Sequence, residues 1–208
     1  MHVVFDMDGV LLDSESDLTW LHRALDETLR TFDIEVTQNS RELLYPTNLR
    51  DFDQAANTLG VPPADLWPVR HRTYVREKNA AIRTDSIGPF ADVEELPSLA
   101  NDASISIISN SPESVVETFV ESADLDPVID HIIGRGATRD AVEHMKPATT
   151  FFERLEGQAK EPPAVYIGDA SSDALFAQRT GMDFLHLDRE AGALRSISAV
   201  VSRLSDRV

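Results

Sequence analysis

Near its N-terminus the chain reads Val3-Val4-Phe5-Asp6-Met7-Asp8-Gly9-Val10-Leu11-Leu12-Asp13. An apolar run rich in β-branched residues meets two carboxylates one residue apart, Asp6 and Asp8, and Gly9 follows directly. This pattern predicts a buried strand that presents acid groups at its carboxyl end. The alternative is a surface hairpin with Asp8-Gly9 as its turn, which leaves Asp6 unexplained.

The two carboxylates predict a cation site. Held this close together beside an apolar strand, they repel each other and lose hydration, which costs several kcal/mol unless a positive group lies between them. Oxygen ligands gathered at strand ends are what Mg²⁺ binds in proteins. We therefore expect Mg²⁺ at the end of this strand.

The composition is that of a globular protein without disulfides. The chain has 208 residues, of which 42% are hydrophobic, and it has no cysteine. This length suits one large or two small domains, and the lack of cysteine excludes disulfides, thiolate metal sites and cysteine nucleophiles. No apolar run is long enough to span a membrane and no basic leader precedes the first strand, so we expect a cytoplasmic protein.

The charge balance is strongly acidic. A formal net charge of −17 argues against nucleic acid and anionic membrane surfaces as partners, because both need basic faces. Lysine is scarce, occurring only as Lys78, Lys146 and Lys160. An acid-rich, lysine-poor composition resembles that of proteins from halophilic archaea, in which high salt screens the self-repulsion. The alternative is an ordinary acidic protein from a mesophile.

The order of periodic segments predicts the architecture. Helical spacing covers 16–31, 51–59 and 64–83, and no strand-like run occurs between Asp13 and Ser86, so we predict an inserted helical domain over 15–87. From 88 onwards strands and helices alternate, which predicts a doubly wound parallel α/β core formed by 1–14 and 88–208. The strands are expected at 104–109, 128–133, 164–167 and 183–187, and the helices at 93–100, 111–122, 147–156, 171–180 and 192–204.

Polar groups follow the later strands. Ser109-Asn110 ends the second strand, where backbone N–H groups at the next helix form an anion site, although both residues are equally well explained as helix caps. Lys146 precedes Pro147 at the predicted start of a helix, where a lysine is unfavourable for the helix dipole. A phosphate oxygen or the Asp6 carboxylate would explain its position, and a solvated surface lysine is the alternative.

The third apolar strand is followed by a second pair of acids. Asp169 lies at the strand end and Asp173 one helical turn later, so that both carboxylates can face one point. A helix cap with an acidic first turn is the alternative. Taken together, carboxylates at two strand ends, a hydroxyl with an amide at a third, and one lysine describe a site for Mg²⁺-assisted phosphoryl transfer.

These segments resemble the four motifs of the haloacid dehalogenase superfamily. The matching stretches are Phe5–Val10, Ile108–Asn110, Lys146-Pro147 and Ile167–Asp173, and they occur in the order that is found in that family. The helical insert is similar to the family's type 1 cap, which closes over the site and selects the substrate. The resemblance therefore implies a Rossmann-like α/β core with a small helical cap domain.

The resemblance also implies a role for each matched residue. Asp6 would be the nucleophile that forms an aspartyl-phosphate, and Asp8 would protonate the leaving oxygen and then deprotonate water. Ser109, with Gly9 and Asn110 beside it, would hold the phosphoryl oxygens, while Lys146 would offset charge on Asp6 and the phosphate. The Mg²⁺ ligands implied are Asp6, the backbone carbonyl of Asp8, Asp169 and, directly or through water, Asp173.

Other residues indicate which of the activities found in this family is expected. Asp8 disfavours dehalogenation, and Lys78, the only lysine of the helical segment, is expected to be poorly placed for Schiff-base chemistry. Leu18 stands where a phosphosugar mutase would carry a histidine. Arg50, in the stretch 47–52, is a candidate to face the leaving group, with a surface salt bridge as the alternative.

The sequence thus predicts a Mg²⁺-dependent phosphatase. The expected substrate is a small phosphorylated metabolite, with phosphoglycolate or a sugar phosphate as the leading candidates, and the expected state is a monomer or homodimer. The alternatives are a phosphosugar mutase similar to beta-phosphoglucomutase and a catalytically silent phosphate-binding protein on the same fold.

Overall fold

The computed structural model describes residues 1–45 and 48–205. In this part of the chain, parallel strands form one five-stranded sheet with the order β3-β2-β1-β4-β5. The predicted doubly wound parallel α/β fold is confirmed. The strands are β1 (His2–Phe5), β2 (Ser104–Pro112), β3 (His131–Arg135), β4 (Val165–Gly168) and β5 (Asp183–His186).

The opening strand lies at the centre of this sheet. Val3 pairs with Ile105 of β2 on one side and with Val165 of β4 on the other. The carboxyl ends of parallel strands meet at one edge of a sheet, so the residues that follow β1, β2 and β4 are brought together there. This order is what gathers groups from distant parts of the sequence into one site.

Helices cover both faces of the sheet. Alternate strand residues point to opposite faces, so Val3 and Phe5 pack in one apolar cluster and Val4 in another. The helices are α1 (Thr19–Thr31), α2 (Gln38–Glu42), α3 (Leu49–Thr58), α4 (Pro63–Arg83), α5 (Leu96–Leu99), α6 (Glu113–Ser122), α7 (Thr150–Glu156), α8 (Ser171–Thr180) and α9 (Ile197–Ser205). Helices α6 and α9 pack against the first cluster, and α7 and α8 against the second.

Helices α1 to α4 lie between β1 and β2 in the sequence, and no strand occurs among the described residues of this interval. Helices α1, α3 and α4 share a third apolar cluster, which includes Leu25 and Leu29 of α1 and Phe52 of α3. Helix α4 packs against α1 and also against α6, so it joins the inserted segment to the helices of the sheet. The domain boundaries at 14/15 and 87/88 stay a prediction.

The structure corrects several predicted element bounds. Helix α7 begins at Thr150 rather than at Pro147, so Lys146 lies in a loop and not at a helix start. Short 3₁₀ helices at Ala91–Glu95 and Arg139–His144, and the five-residue α2, were not predicted. None of the described helices combines the length and apolar character that a transmembrane span requires.

Candidate active site

Asp6 continues the line of β1 into the site. Its backbone N–H donates to the carbonyl of Ile167 (2.8 Å), and its Oδ1 accepts from the N–H of Met7 (2.7 Å). Gly9 turns the chain with φ +75, and a Cβ at this position would lie 2.2 Å from Asp169 Oδ2. The glycine is therefore required, because the backbone after β1 passes directly beside the carboxylate that follows β4.

Lys146 is the buried centre of the site. Its Nζ lies 2.9 Å from Asp6 Oδ1 and 2.6 Å from Asp173 Oδ1, and it donates to Tyr166 Oη at 2.7 Å. Burial works against its charge, but the two carboxylates outweigh burial and raise the pKa of Lys146 above its ordinary value. The structure thus places Lys146 beside Asp6, rather than at the surface.

Three carboxylates converge beside this lysine. Ligand oxygens of Asp6, Asp169 and Asp173 all lie within 4.8 Å of one another. Burial raises the pKa of Asp6 to about 7, with Lys146 opposing the shift and Asp173 adding to it. Burial, followed by the charge of Asp173, raises the pKa of Asp169 to about 6. The cluster therefore carries more negative charge than one lysine offsets, and its oxygen donors fit a hard divalent cation such as Mg²⁺.

Asp173 is the most deeply buried carboxylate of the cluster. It is fully buried in the first turn of α8, where its Oδ2 accepts from the N–H of Ala170 (3.1 Å). A Cβ on Gly168 would lie 2.5 Å from that of Asp173, so the glycine that ends β4 makes room for this side chain. Asp6 and Asp169 line the open cavity, whereas Asp173 lies behind them.

Asp8 has a partner that the sequence analysis missed. Lys78, 1% exposed on α4, places its Nζ 2.5 Å from Asp8 Oδ1 and 3.0 Å from Ser111 Oγ. Ser111 donates to the other carboxylate oxygen of Asp8 (2.7 Å). Burial opposes ionisation of Asp8, but the Lys78 charge and these hydrogen bonds hold the pKa of Asp8 below its ordinary value.

Lys78 was expected to be poorly placed for Schiff-base chemistry, but the structure places its Nζ at the site, paired with Asp8. Helix α4 has 21 residues, enough to extend about 30 Å, and its last turns lie against the site. A usable signal was present in the sequence. Lys78 stands three and four residues before Ala81 and Ile82, so it shares their buried helix face.

Ser109 and Asn110 lie at the irregular end of β2, where the pairing register with β3 shifts. Ser109 Oγ accepts from the N–H of Ser111 (3.1 Å). The Asn110 side chain accepts from the N–H of Lys146 (2.7 Å) and donates to its carbonyl (3.4 Å). Asn110 therefore fixes the loop that carries Lys146.

The site opens to a cavity of about 220 Å³. Its lining includes Asp6, Asp8, Gly9, Ser109, Lys146 and Asp169. Arg50 is exposed on α3 and does not line this cavity. Part of the stretch 47–52, Thr47, lies outside the described residues, and the role of Arg50 in substrate binding stays a prediction.

The sequence matches the family model of haloacid dehalogenase-like hydrolases over residues 3–187. A comparison with curated proteins gave no match.

Solved structures share the fold. YfnB from Bacillus subtilis, provisionally assigned as a HAD hydrolase and bound to magnesium, is 15% identical with a TM-score of 0.66, over 98% of each chain. A predicted phosphoglycolate phosphatase from Haemophilus somnus is 18% identical with a TM-score of 0.64, over 89% of this chain and 84% of that chain. A protein from Thermotoga maritima, provisionally assigned as a beta-phosphoglucomutase, is 16% identical with a TM-score of 0.63, over 100% of each chain. At these low identities the likeness shows the fold alone.

Proposed function

The chain belongs to the haloacid dehalogenase-like hydrolase family, and we propose that it is a Mg²⁺-dependent phosphatase acting on a small phosphorylated metabolite. One observation carries the proposal. The Asp6 carboxylate, paired with Lys146 at 2.9 Å, faces a cavity that it shares with Asp8 and Asp169. A nucleophile, an acid–base group and a cation site thus lie around one opening.

Asp6, Asp169 and Asp173 would hold the Mg²⁺, together with the backbone carbonyl of Asp8. When bound, the ion supplies positive charge that offsets the negative charge of the carboxylates and the phosphoryl group. The positive charge of Lys146 offsets the same negative charge. Because its Nζ contacts both Asp6 and Asp173, it fixes the direction of the nucleophile and favours its ionised form.

The reaction proceeds in two displacements. A carboxylate oxygen of Asp6 attacks phosphorus and the bond from phosphorus to the leaving oxygen breaks. Asp8, which is ionised in the free protein, passes to that oxygen the proton that a phosphomonoester monoanion brings to the site. Water then attacks the aspartyl-phosphate, and Asp8 takes the proton that the water loses. Asp6 is released as a carboxylate, phosphate leaves with that proton, and Asp8 is again ionised. Lys78 and Ser111 favour the ionised form of Asp8, which is the form that accepts a proton from water.

Hydrolysis is favoured over transfer to a second hydroxyl of a sugar. Leu18, at the position where a mutase would carry a histidine, has no acid–base group and lies 42% exposed just before α1. A mutase would move the phosphoryl group without releasing phosphate. The assay for inorganic phosphate therefore separates the two activities.

The test is hydrolysis of p-nitrophenyl phosphate with Mg²⁺, with EDTA as the metal control. Asp6→Asn is expected to reduce kcat by about a thousand-fold or more, because the nucleophile is lost. Asp126→Asn, an exposed carboxylate outside the site, is the matched control and should leave the rate unchanged. Full activity in Asp6→Asn would refute the mechanism. No phosphate release by the wild type, from this ester or from a panel of phosphorylated metabolites, would refute the activity.

A further inference from the structure

A second cavity of about 160 Å³ lies next to the first. Asn110 lines both cavities, so the two share one side chain as part of their walls. Two guanidinium groups, those of Arg70 on α4 and Arg135 at the end of β3, line this second cavity. Its volume is about five times that of a water molecule in the liquid, enough for a carboxylate or phosphate group.

The two arginines are buried and have no carboxylate partner within residues 1–45 and 48–205. Arg70 is 7% exposed and Arg135 is 4% exposed. Arg70 donates through Nε to the carbonyl of Leu44 (3.1 Å), and Arg135 through Nη1 to that of Gly136 (3.3 Å). A guanidinium has five N–H donors, so each retains donors that these contacts leave open.

Both guanidinium groups contact one aromatic ring, that of Trp67. The guanidinium carbons of Arg70 and Arg135 are 5.9 Å and 5.0 Å from the centroid of the Trp67 ring. Burial, followed by repulsion from Arg70, lowers the pKa of Arg135 to about 10. Burial also lowers the pKa of Arg70. The ring contacts compensate only part of the lost hydration, because a cation–π contact contributes less than a paired carboxylate.

Among the described residues, the absence of a carboxylate beside Arg70 and Arg135 contrasts with the acidic composition of the chain. Acidic residues outnumber basic ones by 36 to 19, so a carboxylate partner would be the common solution for a buried arginine. Two unpaired buried cations are unfavourable unless an anion joins them. The cavity therefore has the chemistry of an anion site, with aromatic walls from Trp67 and Tyr74.

We propose that this second cavity binds an additional anionic group of the substrate, a carboxylate or a phosphate on the part that leaves. The proposal rests on the proposed phosphatase function and narrows its substrate class to phosphomonoesters that carry a second anion. The reacting phosphate occupies the cavity of Asp6, and the second anion lies between Arg70 and Arg135, with Asn110 at the boundary. The competing explanation is that both arginines serve only to pack α4 against the end of β3.

Matched substrates separate these explanations. The series comprises phosphoglycolate, ethylene glycol bisphosphate and 2-hydroxyethyl phosphate, which present a carboxylate, a phosphate or a hydroxyl at the same position, and longer homologues of each. In the wild type we expect kcat/KM to be about ten-fold or more higher for one of the doubly anionic compounds than for its hydroxyl analogue, because charge-assisted hydrogen bonds are gained. Comparing kcat/KM for phosphoglycolate and for ethylene glycol bisphosphate shows whether the second group is a carboxylate or a phosphate.

Variants of the two arginines test whether the second cavity causes this substrate preference. Arg70→Gln and Arg135→Gln should each reduce this preference about ten-fold and leave hydrolysis of 2-hydroxyethyl phosphate within about two-fold of the wild type. Arg72→Gln, an exposed arginine on the same helix, is the matched control and should retain the preference. If a variant does not fold, the substrate series in the wild type decides the question by itself.

The outcomes also separate this proposal from the phosphatase proposal. Equal kcat/KM across the series, with all esters hydrolysed, would refute the second anion site and leave the phosphatase intact. If no ester is hydrolysed, the phosphatase proposal fails. Calorimetric titration of the wild type with the same compounds then tests whether the second cavity binds an anion. Binding that is tighter for the doubly anionic compounds, and that is weakened in Arg135→Gln, would support the site, whereas equal binding would refute it.

Discussion

Replacing Lys78 by methionine tests the contact that joins α4 to the site. Removing one partner of a buried ion pair costs about 3–5 kcal/mol, because the other charge is left without compensation. Here the Asp8 side chain is 30% exposed and retains the Ser111 hydroxyl, so part of its charge stays solvated. We therefore expect Lys78→Met to lower the free energy of unfolding by about 2–3 kcal/mol.

The assay is urea unfolding at pH 7, followed by circular dichroism. In an Asp8→Asn background the same lysine substitution should be neutral or stabilising, since Lys78 is then itself a buried charge without its carboxylate, and the difference gives the coupling between the two side chains. Lys160→Met removes an exposed lysine and should change stability by less than about 0.5 kcal/mol. Two results would contradict the reasoning: a cost for Lys78→Met no larger than for Lys160→Met, or an equal cost with and without Asp8.

Other expected outcomes concern the metal, pH, a buried hydroxyl and salt. Mg²⁺ at about a hundred times its Kd should raise the free energy of unfolding by about 2.7 kcal/mol, and Asp169→Asn should abolish this gain, which EDTA reverses in the wild type. Burial and two nearby guanidinium groups lower the pKa of His71 to about 4, so below pH 6.5 the unfolded chain binds a proton that the folded chain excludes. The free energy of unfolding should therefore fall by about 1 kcal/mol more in the wild type than in His71→Gln between pH 7 and pH 5, after allowance for partial exposure; equal losses would contradict this. Tyr166→Phe should cost about 1–2 kcal/mol in urea unfolding, because the carbonyl of Ile108 loses its buried donor, and an unchanged midpoint would contradict the contact. If the acidic surface is adapted to salt, Tm should rise between low and molar KCl, and a constant Tm would exclude that adaptation.

Local sequence patterns predicted the elements that hold the candidate site. The buried run before Asp6 and the apolar run before Asp169 are strands because β-branched and aromatic residues dominate both, and α8 begins at Ser171, as predicted. Their convergence also followed from the sequence, since parallel strands align their carboxyl ends. The five-residue α2 was missed because one and a half turns give too little periodicity to detect.

Contacts between distant segments could not be predicted in this way. Lys78 reaches Asp8 because α4 packs against α6 as well as against α1, and no local pattern encodes that packing. Arg70 and Arg135 are 65 positions apart and become neighbours for the same reason. Lys146 was expected at a helix start, whereas its environment is set by Asn110, which hydrogen-bonds its backbone.

The central position of β1 has a consequence for biosynthesis. The ribosome adds Asp169 only 163 residues after Asp6, although the two carboxylates face each other in the site. Pairing of β1 with β4 joins Val3 to Val165, and a contact over so long a stretch of chain is a slow step in folding. A nascent or prematurely terminated chain that lacks β4 therefore has the Asp6 carboxylate without Asp169 beside it, so this chemistry begins only after β4 has been made.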